Sequence, residues 1–305
     1  MGIGKKTLRA AFDVVSENGF SSRKEIADSL GISTMSAHKA VDVLAAAELL
    51  EIDKNSPKSA SARGRKTKSV IVSRKKLCLL IDFCKKNTYY SLSTLGRSID
   101  NVQVVPYSDA QDLCVNFDIA ASEILKFIER NDAKPAFVAV AIPDFDNNFN
   151  KNDCIASLTR LGLTPDIVVS GARGASEFCS SLFSGRFSFV SIDNRAWGCS
   201  FAEPQRMIAW ENVKVGAHHG ESFASVLQYE SDEQKLCIYT NRFINTIDAV
   251  LSPDKIYVSS SSLPESVMAK LCENDKICNI SADSPVLNGL LRHAKDKIFQ
   301  EMFDN

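Results

Sequence analysis

Residues 22–47 read SRKEIADSLGISTMSAHKAVDVLAAA, and the order of small, polar and apolar side chains along them decides the fold of the N-terminal part. Ser22-Arg23-Lys24-Glu25 is a capping box, in which a serine hydroxyl and a glutamate three residues on satisfy each other's orphan backbone donors and open a helix. Ile26, Ala27 and Leu30 then fall on one face. Gly31 ends the helix, because glycine enters the left-handed region without a Cβ penalty. Ile32 follows as a buried plug, and Ser33 caps a third helix expected to run to about Ala47. Ala27, Gly31, Ala37 and Ala40 put small side chains where two helices cross closely, the steric requirement of a helix-turn-helix. Thr34, Ser36, His38 and Lys39 then occupy the early exposed turns of the third helix, where a recognition helix reaches base edges.

Upstream, Leu8, Ala11, Phe12 and Val15 recur at helical spacing, and Asn18-Gly19 ends that helix. Downstream, Leu49-Leu50-Glu51-Ile52 and Lys68-Ser69-Val70-Ile71-Val72 pattern as two strands joined by a long polar loop over 53–67. That loop carries Arg63-Gly64-Arg65-Lys66. Two strands with a basic tip after a recognition helix make a wing. Arginines flanking a glycine suit a narrow minor groove, where negative potential is strongest. The expected DNA-contacting set is therefore Ser33, Thr34, Ser36, His38, Lys39, Arg63, Gly64, Arg65, Lys66 and Lys68.

Charge agrees with that assignment. Residues 1–76 hold 15 Lys+Arg against 8 Asp+Glu, a net of +7, and the remainder holds 21 against 29, a net of −8. The overall charge of −1 thus conceals a front end suited to a polyanion such as double-stranded DNA. The blander alternative is a three-helix dimerisation or protein-binding module with a solvated basic loop.

Composition narrows the rest. At 305 residues and 45% hydrophobic content the chain has core material for two or three domains. It has no run of the ~18 apolar residues a membrane helix needs. Met1-Gly2-Ile3-Gly4-Lys5-Lys6 leads into an amphipathic segment instead of a signal-peptide core, so a cytoplasmic location is expected. Nine cysteines without a CxxC pair fit small buried hydrophobes in a reducing compartment better than a disulfide framework.

Beyond residue 76, Leu77 to Phe83 is a near-continuous apolar run, as expected of a strand covered on both faces. Tyr89–Ser93 and Val102–Val105 pattern as strands beside it in an antiparallel meander. Ala136–Ile142, Ile167–Val169, Phe187–Ile192 and Lys255–Val258 are further buried strands. Helical patterns lie between, including Phe117, Ala121, Ile124 and Ile128, then Leu236, Phe243, Ile247 and Leu251, then Val286, Leu290, Ala294 and Ile298. The alternation predicts α/β layers around a mixed sheet.

A winged helix-turn-helix followed by this order resembles the ROK family of repressors, open reading frames and sugar kinases. The likeness is carried by Gly64-Arg65 with Val70-Ile71-Val72 and Leu79-Leu80-Ile81-Asp82, by Leu95-Gly96-Arg97-Ser98-Ile99, by Val138 to Pro143, and by Thr240 to Val258. It implies a two-lobed actin-like (ribonuclease H-like) ATPase fold, with domains over 1–76, 77–182 and 183–305. A final helix over about 285–304 would pack back on the first lobe.

The kinase chemistry of that family does not carry over. The aspartate of its first phosphate loop falls on Asp82, but Phe83-Cys84-Lys85-Lys86 follow in place of glycines. Its catalytic Asn-Asp pair falls on Ser170-Gly171, which offers no base. Its second glycine loop falls on Asp193-Asn194-Arg195-Ala196-Trp197-Gly198, and the Gly-Gly pair near the nucleotide base becomes Ser259-Ser260-Ser261. Its zinc site needs a histidine and clustered cysteines, and Gly220-Glu221-Ser222-Phe223-Ala224 supplies neither. Neither cofactor nor metal is expected.

The leading expectation is a DNA-binding regulator that acts as a homodimer on an operator, with no membrane partner. Asp82 and Glu221 are its candidate ligands for a carbohydrate effector. The alternatives are a ligand-independent regulatory or protein-interaction protein and an active sugar kinase.

Overall fold

The computed structural model of the chain describes residues 3–53, 69–84, 87–96, 99, 101–142, 151–193, 196–203, 206–210, 232–260, 263–281 and 284–303. The N-terminal unit runs α1 (Lys5–Asn18), β1 (Phe20–Ser22), α2 (Arg23–Leu30), α3 (Thr34–Ala46), β2 (Leu50–Ile52) and β3 (Ser69–Val72). Its three strands form an antiparallel sheet of order β1-β3-β2. Leu8, Phe12 and Val15 of α1, Ile26 of α2, and Ala37, Ala40, Val41 and Leu44 of α3 meet in one core, as their helical spacing requires.

Two α/β units follow, and they repeat one plan. The first is β4 (Leu77–Phe83), β5 (Asn87–Thr94), β6 (Gln103–Pro106), α4 (Leu113–Arg130), β7 (Phe137–Ile142), α5 (Lys151–Arg160), β8 (Ile167–Ser170) and α6 (Gly171–Leu182). The second is β9 (Phe187–Asp193), β10 (Ala196–Glu203), β11 (Arg206–Trp210), α7 (Glu233–Leu251), β12 (Lys255–Ser260), α8 (Glu265–Leu271), β13 (Ile277–Asn279) and α9 (Pro285–Phe303). The sheets have orders β6-β5-β4-β7-β8 and β11-β10-β9-β12-β13. In each, three strands form an antiparallel meander, and two later strands add in parallel beside the first. The parallel additions need crossovers, which α4, α5, α7 and α8 supply.

Alternation along the first sheet sorts its two faces. Leu79, Ile81 and Phe83 pack with Val138, Val140 and Ile142 under α4 and α5. Cys78 and Leu80 join Ala139 and Ala141 on the opposite face, under α9. The last helix of each unit lies on the other unit's sheet: α6 packs on β9 and β10, and α9 on β4 and β7. The two helices cross where Gly174 faces Gly289. A Cβ built at Gly289 would meet the Gly174 carbonyl oxygen at 1.7 Å, so glycine is the residue that permits this approach.

Helix α9 also carries the N-terminal unit. The Phe12 and Phe299 rings lie 5.1 Å apart. The Arg9 guanidinium pairs with Asp296 at 2.7 Å and sits 5.0 Å over the Phe299 ring. Lys295 Nζ donates to Ser16 Oγ at 2.9 Å, and the Ser16 hydroxyl donates to the Leu95 carbonyl at 3.2 Å. One continuous core thus runs from α1–α3 through α9 to the inner face of the first sheet.

Of the cysteines, Cys78, Cys154 and Cys179 are buried, while Cys84, Cys237, Cys272 and Cys278 are half-buried. Burial pushes the Cys78 thiol up to about 12. Cys114 departs from the expectation of buried hydrophobes. It is exposed on α4 and donates weakly to Asp153 Oδ2 at 3.5 Å.

Candidate functional site

The candidate sites are the exposed side of α2 and α3 and the C-terminal ends of the parallel strands, where open α/β sheets bind ligands.

In the first, local sequence sets the geometry. Ser22 Oγ accepts from Glu25 N–H at 3.2 Å, and Glu25 Oε2 accepts from Ser22 N–H at 2.6 Å, which completes the capping box. Gly31 takes φ +61°, and the turn it makes aims α3 across α2. Buried Ala27, Ala37 and Ala40 let the helices approach. Arg23, in the first turn of α2, reaches Asp42 of α3 at 2.7 Å and pins the pair at its outer edge.

Ser33 accepts from Ser36 N–H at 3.1 Å, and its hydroxyl lies 2.9 Å from the Ser36 hydroxyl. Both side chains are thereby engaged in capping the helix. Thr34, His38 and Lys39 are exposed, and Ser36 is half-buried. The turns of α3 thus present Thr34, His38 and Lys39 outward, with Ser33 and Ser36 as structural supports. Met35 is also outward, 67% exposed, and sequence reasoning missed it. A methionine at helical spacing reads as core until the packing partners of α3 are known.

Strands β2 and β3 pair with Leu50 opposite Val72 and Ile52 opposite Val70, and Asp53 N–H donates to the Ser69 carbonyl at 2.9 Å. Arg63, Gly64, Arg65, Lys66 and Lys68 lie outside the described residues.

At the strand ends of the first sheet, Asp82 is buried, 8% exposed, between Tyr89 of β5 and Ala141 of β7. Alternation places it on the face shared with Cys78 and Leu80, toward α9. The next residue, Phe83, is fully buried and packs edge-on against Phe117, with ring centroids 5.5 Å apart. Phe117 in turn meets Tyr107 at 5.8 Å, and the Tyr107 and Thr88 hydroxyls lie 2.6 Å apart. Burial pushes the Tyr107 phenol far above its ordinary value, so it stays protonated. This aromatic cluster lies under α4, on the sheet face opposite Asp82. Ser170 caps α6 through the Arg173 N–H at 3.2 Å. Gly171 begins that helix with open space around the position of a Cβ.

In the second sheet, β9 and β10 stay paired out to Asp193 and Ala196, and Gly198 sits within β10 opposite Ser191. At the end of β12, the Ser260 hydroxyl donates to the Ile192 carbonyl at 2.5 Å and accepts from Leu263 N–H at 3.0 Å. Ser260 N–H donates to Ser281 Oγ at 3.0 Å. A serine side chain thus straps β12 to β9 at the end of the strands. Glu221 lies outside the described residues, as do His218 and His219. Cys237 accepts from Asn241 Nδ2 at 3.4 Å. Among the described residues no group of three His, Cys, Asp or Glu side chains is placed to hold a metal ion. None of the described helices is long and apolar enough to cross a membrane.

No family model and no curated protein matches the sequence. Solved structures do match the fold, and ROK proteins are prominent among them. A ROK family transcriptional regulator, a homologue of the E. coli MLC protein, superposes with TM-score 0.60 at 12% identity, over 97% of this chain and 98% of its own. The inorganic polyphosphate/ATP-glucomannokinase of Arthrobacter sp. strain KM gives 0.59 at 16% identity, over 73% of this chain and 99% of its own. A ROK family glucokinase from Streptomyces griseus, solved with glucose and AMPPNP, gives 0.54 at 8% identity, over 72% and 99%. The mixed α/β fold of this chain is that of ROK proteins.

Proposed function

We propose that this chain is a ROK-family transcriptional regulator that binds double-stranded DNA through a winged helix-turn-helix and transfers no phosphate. The observation that carries the proposal is the contrast in coverage. A regulator of similar extent aligns over 97% of the chain, whereas two kinases align over nearly their whole lengths yet reach only 73% and 72% of it. What they leave, roughly a quarter, is the size of the α1–β3 unit.

In this reading residues 1–76 bind DNA, with α3 in the major groove and Arg63, Arg65, Lys66 and Lys68 as the basic wing. Residues 77–182 and 183–305 form two actin-like lobes, with α9 returning to the first. Two-fold operators match two-fold proteins, so the regulator acts as a homodimer in the cytoplasm. Asp82 and Glu221 are the candidate contacts to a carbohydrate effector. The absence of kinase activity is inferred from Gly171 in place of a base, from Phe83-Cys84-Lys85-Lys86 in place of glycines after Asp82, and from the Ser260 strap. The Ser260 strap also favours a second reading, in which the lobes only set dimer geometry and sense no ligand.

The test is selection of fragmented genomic DNA by the purified chain, followed by salt titration of the enriched sites. A two-fold-related sequence and a steep salt dependence are expected. Arg65→Ala should lower the log–log slope by about 1. Sequence-blind binding, or phosphorylation of a sugar by the purified chain with ATP, would refute the proposal. Stabilisation of the chain by a monosaccharide in a thermal scan separates the sensing reading from the ligand-independent one.

A further inference from the structure

Helix α3 advances 100° per residue, so its surface can be mapped residue by residue. Ala37, Ala40, Val41 and Leu44 form the buried side. Met35, His38, Lys39 and Asp42 lie on the opposite side, spaced three and four apart, and all four are exposed. They form a single outward stripe. Arg23 engages Asp42 at 2.7 Å, which offsets the stripe's one acidic charge. The hydroxyls of Ser33 and Ser36 face each other at the helix start. Met35 is thus the large apolar side chain of the leading turn, set beside a cationic residue and an imidazole. Val43, also exposed, sits two turns further on, about 12 Å along the axis.

A long apolar side chain held in water on a surface that otherwise carries polar groups favours an apolar partner. In a major groove, the apolar feature of the base edges is the C5-methyl of thymine. The net +7 of residues 1–76 makes DNA the complementary occupant of this face. We infer that Met35 is a specificity-determining residue that packs on a thymine methyl group in the operator. This inference rests on the DNA-binding reading above and adds the identity of a base to it.

The experiment uses the full chain and an operator recovered by genomic selection, in which each thymine is replaced singly by deoxyuridine. Removing the methyl at one symmetry-related position should weaken wild-type binding roughly fourfold, the worth of one buried methyl group. Met35→Gln, which alters both half-site contacts of the homodimer, should bind the unmodified operator roughly sixteenfold more weakly and be indifferent to that replacement, whereas Met35→Leu should retain the discrimination. All three proteins should share one salt slope, because no phosphate contact changes. If an operator is found but wild type and Met35→Gln respond alike to every deoxyuridine, the inference falls and DNA binding stands. If Met35→Gln instead shifts the sedimentation of the free protein, Met35 serves self-association and the inference falls too. If no operator is enriched, the DNA-binding reading itself fails.

Discussion

A methyl group added at Gly289 would lie 1.7 Å from the Gly174 carbonyl oxygen, a backbone atom that cannot move without shifting α6. Alanine gains roughly 0.5–1 kcal/mol over glycine in a helix interior, but overpacking against backbone costs about 1–3 kcal/mol or more. Gly289→Ala should therefore lower stability by about 2 kcal/mol in chemical denaturation. Gly171→Ala, with open space around it, should be neutral or slightly stabilising. Equal behaviour of the two variants would mean that the helices do not cross so closely. Lys295 carries a pH dependence of definite sign. Burial lowers its ammonium to about 8, with Arg292 and Arg9 acting in the same direction and Asp13 and Glu17 opposing it. Below pH 8 both folded and unfolded chains carry the proton, and the folded state bears the full cost of burying it. Between about 8 and 10.5 the unfolded chain holds the proton more tightly, so stability rises with pH, by on the order of 3 kcal/mol in total. In Lys295→Met this rise should vanish. A variant whose pH profile parallels that of wild type over this window would refute the assignment.

At the scale of elements, what was legible in the sequence depended on range. The α2-turn-α3 segment was readable because its signals are local: the Ser22–Glu25 box, the left-handed Gly31 and the Ser33 cap each act within four residues. The meander and the mixed sheet were readable from apolar runs and polar breaks. Strand β1 was not, because Phe20-Ser21-Ser22 is only three residues long and gains its strand character from pairing with β3 some fifty residues on. The outward aim of Met35 was hidden because it depends on which side of α3 is packed. The crossing of α6 and α9 was hidden for a like reason: a lone glycine in a helix does not announce its partner 115 residues away. The docking of α9 on α1 belongs here too. Phe299 is buried against Phe12, beneath Arg9. Truncating either ring to alanine should cost about 3–5 kcal/mol. The double variant should lose less than the sum, with a coupling of about 0.5–1.5 kcal/mol for the paired rings. Additive losses measured by denaturant unfolding would show that the two rings are independent.

Across the whole molecule, the shared core decides how the N-terminal unit is held. A unit joined only through residues 73–76 would open on its own, and its orientation would be set by a tether. Here Leu8, Phe12 and Leu44 belong to one cluster with Leu80, Ala139, Leu290 and Ile298, so opening α1–α3 uncovers the Phe299 face of α9, the helix that covers the first sheet. The second sheet keeps a separate core of Val190, Ile192, Phe243, Ile247, Ile256 and Val258. Regions that share buried contacts open together, and those that do not can open apart. Native-state hydrogen exchange should accordingly find amides of α1, α3, β4 and β7 in one opening of common free energy and denaturant slope, with β9 and β12 in another. A first group that splits, with α1 and α3 exchanging through a lower-energy opening than β4, would refute the shared core. Under the proposed regulatory function, an effector acting on the lobes would then have to turn α3 together with the first sheet as one body, because a ligand shifts only the arrangements between which it discriminates.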